Sequence, residues 1–575
     1  MKKIFIIFNL LSAKEKNLFY LIIVLTFFSM IVEILGLSTV IPLISIVLKN
    51  DLNFSSNIFS NLIRLFDKQN KNIVELTLIA IGVVFILKNI YLAFFSKFLV
   101  KFLFNVSKRL EQELYEGYIK LPYLDFINKK NADLVYNLTR AIDLFRDSLS
   151  IISLLITELL VFCGILTFLF IIDPITLFII GSVLLSVFLI LYFLSKKKNI
   201  EWGKNSRIQE TLRVKTIIES FNAIKELKIK NIENFFFRQH LQSNNLKAKF
   251  ATKHNFNVYL PRLFFEVIIL FVILSLVFVL RELNFSQADL IKKIGLFSVA
   301  AFRLYPSAYK IINSIQNFNF GLPSLENLVV EIKKIKNNQS NFLINNNSTE
   351  TYSGFNFESI ALKNIYFSYP DQNNYIIKNL EFEIKKNEIV GISGKSGSGK
   401  STLIDIISGL FNPNKGYFFI NNKKYLKLPR YWNNSFAYVS QNIALLENTL
   451  TKNITFGEDN DVDKKRLKEV VEIAQLQELF ENQIEENYLV GNRGVKLSGG
   501  EKQRIGIARA LYYNNKFLIL DEATNALDEK TERKIMEGLL NTKNLTILLI
   551  SHKSSTLNFC KKQYFLENGV LKKLN

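Results

Sequence analysis

The sequence predicts an all-α membrane domain of six spanning helices followed by an α/β domain built on a phosphate-binding loop. Three observations predict it. Up to about residue 320 the chain is a series of long apolar runs, each able to cover the roughly 20 residues a bilayer-spanning helix needs. Beyond about residue 350 it reads as a soluble α/β domain. Within that second part, Gly394-Lys395-Ser396-Gly397-Ser398-Gly399-Lys400-Ser401 stands between a β-type run and an apolar-periodic segment. At 575 residues the chain is also too long for one ordinary globular core.

Met1 to Lys16 alternates basic and apolar residues, with Ile4, Ile7, Phe8 and Leu11 at helical spacing. The spacing predicts an interfacial helix over residues 1–16, lying on the cytoplasmic surface. The membrane domain, 17–320, contains apolar runs at about 17–48, 74–104, 148–171, 175–195, 258–281 and 290–318. An even number of crossings returns the chain to its starting side. The N-terminus and the phosphate-loop half therefore share the cytoplasm, and the protein is a multi-pass resident of the cytoplasmic (inner) membrane. Segments 105–147 and 196–257 are long, polar and helical in pattern, and both fall on the cytoplasmic side. Ile172-Asp173-Pro174 is a tight external corner. Loop 49–73 has an apolar face at Ile58, Leu62 and Leu65-Phe66, which fits either a short helix on the outer surface or a solvated loop.

Ionisable residues inside the spans each cost on the order of 3 kcal/mol at the bilayer centre, so each needs a partner or a wet cavity. The candidates are Glu33, Lys88, Glu158, Arg262, Glu266 and Arg303. Arg262 and Glu266 stand at i, i+4, so an ion pair within one helix is as good a reading as a cavity. Lys88 and Arg303 have no such local partner. Lys88, Arg262 and Arg303 are the candidate contacts to an anionic substrate.

The formal charge of +22 invites thoughts of nucleic acid. Cytoplasmic loops of membrane proteins favour Lys and Arg in any case, and six bilayer-length runs argue against a nucleic-acid ATPase. Cys163 and Cys560 cannot form a disulfide framework, and His240, His254 and His552 show no metal-ligand spacing. No cleavable secretory signal is evident: the first apolar run is long and lacks a small-residue cleavage site. Residues 321–354 end in Asn-, Lys- and Ser-rich sequence and read as a linker, leaving 355–575 as the nucleotide-binding domain.

That domain carries its chemistry in order. Glu388-Ile389-Val390-Gly391-Ile392 is the strand before the glycine-rich loop, and Thr402-Leu403-Ile404-Asp405-Ile406-Ile407 is the helix after it. Glycines let backbone N–H groups converge on one anion, and the helix start adds its positive end. Lys400 can reach the β- and γ-phosphates of a nucleotide, and the Ser401 hydroxyl can bind Mg²⁺. Tyr369, about thirty residues upstream, can stack on adenine. Gln441 follows the strand-like Phe436-Ala437-Tyr438-Val439-Ser440. Leu497-Ser498-Gly499-Gly500-Glu501-Lys502-Gln503-Arg504 opens a helix. Phe517-Leu518-Ile519-Leu520-Asp521-Glu522 is an apolar strand ending in two carboxylates, and Ile547-Leu548-Leu549-Ile550-Ser551-His552 is another ending in His. Asp521 can hold Mg²⁺ through its water shell, and Glu522 can polarise the attacking water as general base.

Leu-Ser-Gly-Gly followed by the carboxylate strand resembles the ATP-binding cassette (ABC) transporter family. The resemblance implies an exporter-type half-transporter, with six spans and one cassette, that works as a dimer, here favouring a homodimer. It implies ATP and Mg²⁺ as ligands, with Tyr369, residues 394–402, Gln441 and Asp528 in the ATP site and Ser401, Gln441 and Asp521 toward the metal. Ser498, Gly499 and Gly500 then cap ATP held by the opposite subunit, Glu522 is the catalytic base, and His552 senses the γ-phosphate. Val490-Gly491-Asn492-Arg493-Gly494 is similar to the exporter cross-linking loop, with Asn492 where an acid is usual. Asn525-Ala526-Leu527-Asp528 is similar to the D-loop, with Asn525 in place of the usual Ser. Leu121 to Phe126 and Glu219 to Ile224 look like the two cytoplasmic coupling segments.

Pro261-Arg262-Leu263-Phe264-Phe265-Glu266 and Arg303-Leu304-Tyr305-Pro306-Ser307 are similar to PglK-type flippases of bacterial protein glycosylation. That implies a polyprenyl-pyrophosphate oligosaccharide as cargo, moved from inner to outer leaflet. An exporter of another lipid, drug or peptide is the alternative.

Overall fold

A computed structural model of the chain describes residues 7–38, 73–172, 174–282, 287–344, 356–370, 372, 374–456, 462–481, 490 and 497–574. Two compact units result, one of residues 1–121 and 125–345, the other of 122–124 and 346–575.

The first unit is helical. Its six long helices are α1 (Ala13–Ser38), α2 (Ile73–Ile119), α3 (Ile142–Ile172), α4 (Pro174–Asn222), α5 (Glu233–Glu282) and α6 (Gln287–Ile344). They contain the six apolar runs, save the part of the first that lies outside the described residues. Three stretches of described residues are long and apolar enough to cross a membrane: Ala13–Leu35, Ile81–Ile119 and Asn131–Ile171. The 50 residues of α5 rise about 75 Å at 1.5 Å per residue, far more than the roughly 30 Å of hydrocarbon. The excess is the polar segment 233–257. The same division appears in α4, which runs without a break from the apolar residues after Pro174 into the Lys-rich stretch up to Asn222.

Polar residues fix these helices to one another. His254 of α5 is buried between Asn199 of α4 (Nδ1 to Oδ1, 2.9 Å) and Asn317 of α6 (Nε2 to Oδ1, 3.0 Å), and it stacks on Phe320 at 4.0 Å. Gly203 permits this close packing: a Cβ there would lie 2.0 Å from the Phe320 carbonyl oxygen. Glu158, also buried, accepts from Ser307 (2.7 Å) and pairs with Lys310 (2.6 Å).

Two expectations about segment ends change. Residues 321–344 are the last turns of α6 and not a linker: Leu322, Leu325, Val329, Ile332 and Ile335 are buried in the helical core. The polar composition hid a helical apolar stripe. At the other end, residues 1–6 lie outside the described set, while Ile7, Leu10 and Leu11 are buried against Phe19, Phe102 and Val106. The described part of this apolar face packs on protein. Ser12 then caps α1, its N–H donating to Glu15 Oε2 (2.8 Å) and its Oγ accepting from the Glu15 N–H (3.3 Å). Loop 49–72 and Asn492 are outside the described residues.

The second unit is α/β. A four-stranded antiparallel sheet runs β2 (Ile377–Lys385), β1 (Ser359–Phe367), β4 (Lys415–Ile420), β5 (Lys423–Tyr425). A six-stranded sheet runs β10 (Val570–Lys573), β9 (Lys562–Glu567), β3 (Ile389–Gly394), β8 (Thr546–Ile550), β7 (Phe517–Asp521), β6 (Phe436–Val439). All its neighbours are parallel except β9 and β10. Strands covered on both faces need continuous apolar runs, which is why β8 is buried at every position. Alternate residues serve two cores: Leu518, Leu520 and Leu549 face one, Phe517, Ile519 and Leu548 the other.

Candidate functional site

Parallel pairing aligns the carboxyl ends of four strands. Ile392 of β3 is level with Ile550 of β8, Ile550 with Asp521 of β7, and Leu520 with Val439 of β6. The loops that follow these ends hold residues 394–402, His552, Asp521-Glu522 and Gln441, so motifs spread over some 160 residues meet at one edge. Ligands of open α/β sheets bind at this edge.

The phosphate loop needs its glycines for two different reasons. At Gly394 a Cβ would lie 2.4 Å from the Leu566 carbonyl oxygen. Gly397 and Gly399 have φ of 78° and 103°, a left-handed backbone that other residues resist. Helix α7 (Lys400–Ile407) starts at once behind them. Lys400, buried, donates to the carbonyls of Gly394 (2.8 Å) and Lys395 (3.0 Å). Burial holds its pKa below the usual lysine value, against the pull of the Glu522 and Asp521 carboxylates. The Ser398 hydroxyl is buried with no hydrogen-bond partner among the described residues, and Ser401 at the first turn is exposed. Tyr369 packs edge-on against Phe367 and Phe411, with its hydroxyl 3.3 Å from Thr402 Oγ1.

The carboxylates are held in contrasting ways. Asp521 Oδ2 accepts from the Tyr438 hydroxyl at 3.1 Å. Burial raises the Asp521 pKa, with Tyr438 and Lys400 drawing it back. Glu522 leaves β7 with φ of 49°, and its side chain is ringed by donors. Oε2 accepts from Gln441 Nε2 (2.8 Å) and Asn525 Nδ2 (2.9 Å), and Oε1 lies 3.2 Å from His552 Nε2. Among the described residues no cluster of three or more His, Cys, Asp or Glu forms a metal cage. Ser401, Gln441 and Asp521 nevertheless suit Mg²⁺, which takes one or two carboxylates and completes its shell with water and phosphate oxygens.

Ser498, Gly499 and Gly500 lie against the turn that follows Glu522: a Cβ at Gly500 would lie 3.1 Å from the Ala526 carbonyl oxygen. They begin helix α8 (Gly499–Tyr512), where Ser498 forms a capping box: its N–H donates to Glu501 Oε2 (2.6 Å), and its Oγ accepts from the Glu501 N–H (3.2 Å). Ser498 and Gly499 are exposed, so the positive end of α8 faces outward. Asp528 caps helix α9 (Glu529–Asn541) by accepting from the Thr531 N–H at 2.9 Å.

Three participants escaped the sequence reading. Tyr438 was legible only as a strand residue. Asp405 was marked by being the one charge in an apolar helical run. Its pKa is pushed up to about 6, first by burial and then by Asp521. Gln503, buried, accepts from the Ala526 N–H at 2.8 Å and donates to the Glu522 carbonyl at 3.4 Å, and nothing in its local sequence foretold this.

In the first unit Lys88 is not an unpaired cation. Its Nζ lies 2.8 Å from Glu33 Oε2, joining α2 to α1 across 55 residues, and two charges each costly in a bilayer gain by meeting. Arg262 and Glu266 are both exposed, and no ion pair joins them among the described residues. The Arg303 side chain lies outside the described set.

Residues 377–525 match the family model for ABC transporters. A Rickettsia bellii protein described as an export ATP-binding/permease protein is 28% identical over 522 residues, covering 87% of this chain and 86% of that one. The multidrug resistance ABC transporter ATP-binding and permease protein of Lactococcus lactis is 34% identical over 217 residues, 37% of each chain. Among solved structures, a bacterial Atm1-family ABC exporter with ATP bound superposes with a TM-score of 0.73 at 18% identity, covering 94% of this chain and 93% of that one. Residues 377–525 thus form an ABC transporter ATP-binding domain, which implies ATP hydrolysis coupled to export, and the chain as a whole has the fold of an ABC exporter.

Proposed function

We propose that two copies of this chain form an ATP-driven flippase that moves a polyprenyl-pyrophosphate-linked oligosaccharide from the inner to the outer leaflet of the cytoplasmic membrane. The observation that carries the motor is the Glu522 carboxylate held by Gln441, Asn525 and His552 beside Lys400, while the start of α8 is exposed at Ser498 and Gly499. One cassette thus offers a phosphate loop, a base and the exposed positive helix end that a second cassette's nucleotide requires.

In this reading Tyr369 faces adenine, the N–H groups of residues 394–402 hold the phosphates, and Lys400 exchanges its loop carbonyls for phosphate oxygens. Ser401, Gln441 and Asp521 would hold Mg²⁺, which supplies charge neutralisation of the phosphates. Glu522 takes the proton of the attacking water, and His552 shares the charge that builds on the γ-phosphate. Ser498, Gly499 and Gly500 of one copy, with Asp528 nearby, close over the nucleotide of the other. Closure is passed to the spans through Leu121–Phe126 and Glu219–Ile224, with both cassettes on the cytoplasmic side.

For the cargo, the support is the likeness of segments 261–266 and 303–307 to lipid-linked oligosaccharide flippases. Arg262, exposed and without an ion pair among the described residues, suits a pyrophosphate, and Arg303 is assigned the same role. Lys88 is a weaker candidate because Glu33 already neutralises it. The test is ATPase and leaflet transfer in reconstituted vesicles. A lipid-linked oligosaccharide should stimulate turnover and move outward, and Arg262→Ala should lose the stimulation while keeping basal turnover. Stimulation by a free drug or a phospholipid alone would replace the cargo and leave the motor.

A further inference from the structure

We propose that Asn525 is a positioning residue for hydrolysis, whose carboxamide fixes the Glu522 carboxylate in the orientation from which it accepts the proton of water. The inference rests on the reading of Glu522 as general base and gives Asn525, there only a contact, a role in the rate of hydrolysis.

The local backbone explains why residue 525 can do this. Glu522 leaves β7 in a left-handed conformation, with its N–H donated to the Ile550 carbonyl at 3.0 Å. Three residues later the chain has turned back, and the Asn525 N–H donates to the Glu522 carbonyl at 3.2 Å. Asn525 therefore sits over the residue whose carboxylate it touches, and Nδ2 reaches Oε2 at 2.9 Å. Gln441 reaches the same oxygen from the end of β6 at 2.8 Å. Two N–H donors fill Oε2, so proton acceptance falls to Oε1, the oxygen 3.2 Å from His552. A carboxylate held at one oxygen presents the other in a fixed plane, which is worth rate because misorientation of a base is costly.

Serine, the usual residue at this position in similar D-loops, carries its hydroxyl about 1.5 Å closer to the backbone, one bond short. Asparagine supplies the missing reach and an N–H that only donates.

The turn does not depend on this carboxamide. The Ala526 N–H is held by Gln503 at 2.8 Å, and Lys553 Nζ donates to the carbonyls of Thr524 (3.1 Å) and Leu527 (3.3 Å). Trimming the side chain at 525 should leave the loop in place and remove only the contact to Glu522.

The experiment is steady-state ATPase of the full chain in lipid vesicles, with ATP affinity and thermal midpoint measured beside it. Asn525→Ala should lower kcat about tenfold and leave KM for ATP and the melting midpoint unchanged. Asn525→Asp, equal in shape but an acceptor of like charge, should lose about a hundredfold, and it carries the same test should the alanine variant misfold. In a Glu522→Gln background Asn525→Ala should change the residual turnover by less than about twofold, since contacting residues are not additive. A kcat near the unaltered value, a loss confined to KM, or a full further loss in the Glu522→Gln background would each overturn the proposal. High turnover in Glu522→Gln alone would instead overturn the assignment of the base.

Discussion

The Tyr438 hydroxyl donates to Asp521 Oδ2 at 3.1 Å, tying the end of β6 to the carboxylate at the end of β7. The contact leaves the other carboxylate oxygen to be aimed at a metal's water shell. Tyr438→Phe should raise the Mg²⁺ concentration for half-maximal ATPase about fivefold to tenfold, the roughly 1 kcal/mol that one hydrogen bond contributes net. Turnover at saturating Mg²⁺ should be nearly unchanged. A Mg²⁺ titration checks it, and an unshifted curve refutes a positioning role for Tyr438.

Glu522→Gln keeps the shape of the side chain and its contact with Gln441 but cannot take a proton. ATP binding should persist and kcat should fall at least a hundredfold, the usual yield of a general base. Single-turnover hydrolysis with bound radiolabelled ATP reads both quantities at once.

Stability should respond to pH through Asp405. The folded chain keeps its proton up to about pH 6 because the carboxyl is buried near Asp521, whereas the ordinary value is 3.8. A raised folded pKa contributes stability that is complete below about pH 4 and is lost as pH rises through 6. At pH 7.5 the native protein therefore carries a buried charge that Asp405→Asn lacks. The variant should be more stable there by about 1 to 2 kcal/mol, the two pKa units at 1.36 kcal/mol each being reduced by solvent screening of a partly buried carboxyl, and the advantage should shrink toward pH 4. Thermal melts with a chelator present, across that range, decide the matter. A variant that gains nothing at pH 7.5 contradicts the burial argument.

Removing one member of the Glu33–Lys88 pair should harm the membrane domain more than removing both. Glu33→Ala leaves Lys88 without its neutralising carboxylate and should cost about 3 kcal/mol, visible as a lower melting midpoint in detergent. Glu33→Leu combined with Lys88→Met should recover most of that loss. If the double variant melts as low as the single one, the pair is not what holds α1 to α2 at this level.

Much of the fold was legible because its signals are local. A run of 20 apolar residues can span a bilayer whatever its neighbours do, and the six long helices contain the described parts of the six runs. A glycine-rich loop between a strand and a helix has few other structures open to it. The sequence reading failed at 321–344, where Leu322, Leu325, Val329 and Ile332 form a stripe diluted by Asn and Lys. Composition outweighed periodicity there, and periodicity was the better guide. Residues 7–11 show a different limit: an amphipathic pattern states that a face will be buried but not whether lipid or protein buries it.

By itself the sequence determined the kinds of group present, Lys400, Asp521, Glu522, Gln441 and His552, and the strand ends that carry them. Only the tertiary structure decided which side chains touch. It gave Lys88 a partner 55 residues away, set Tyr438 on Asp521 across 83 residues, and turned Asn525, a departure from the usual serine, into a donor to Glu522. The physical reason is range. Strand and helix patterns follow from neighbours along the chain, whereas a hydrogen bond near 3 Å depends on strand register, backbone twist and side-chain length together, and a single residue's slip would abolish it.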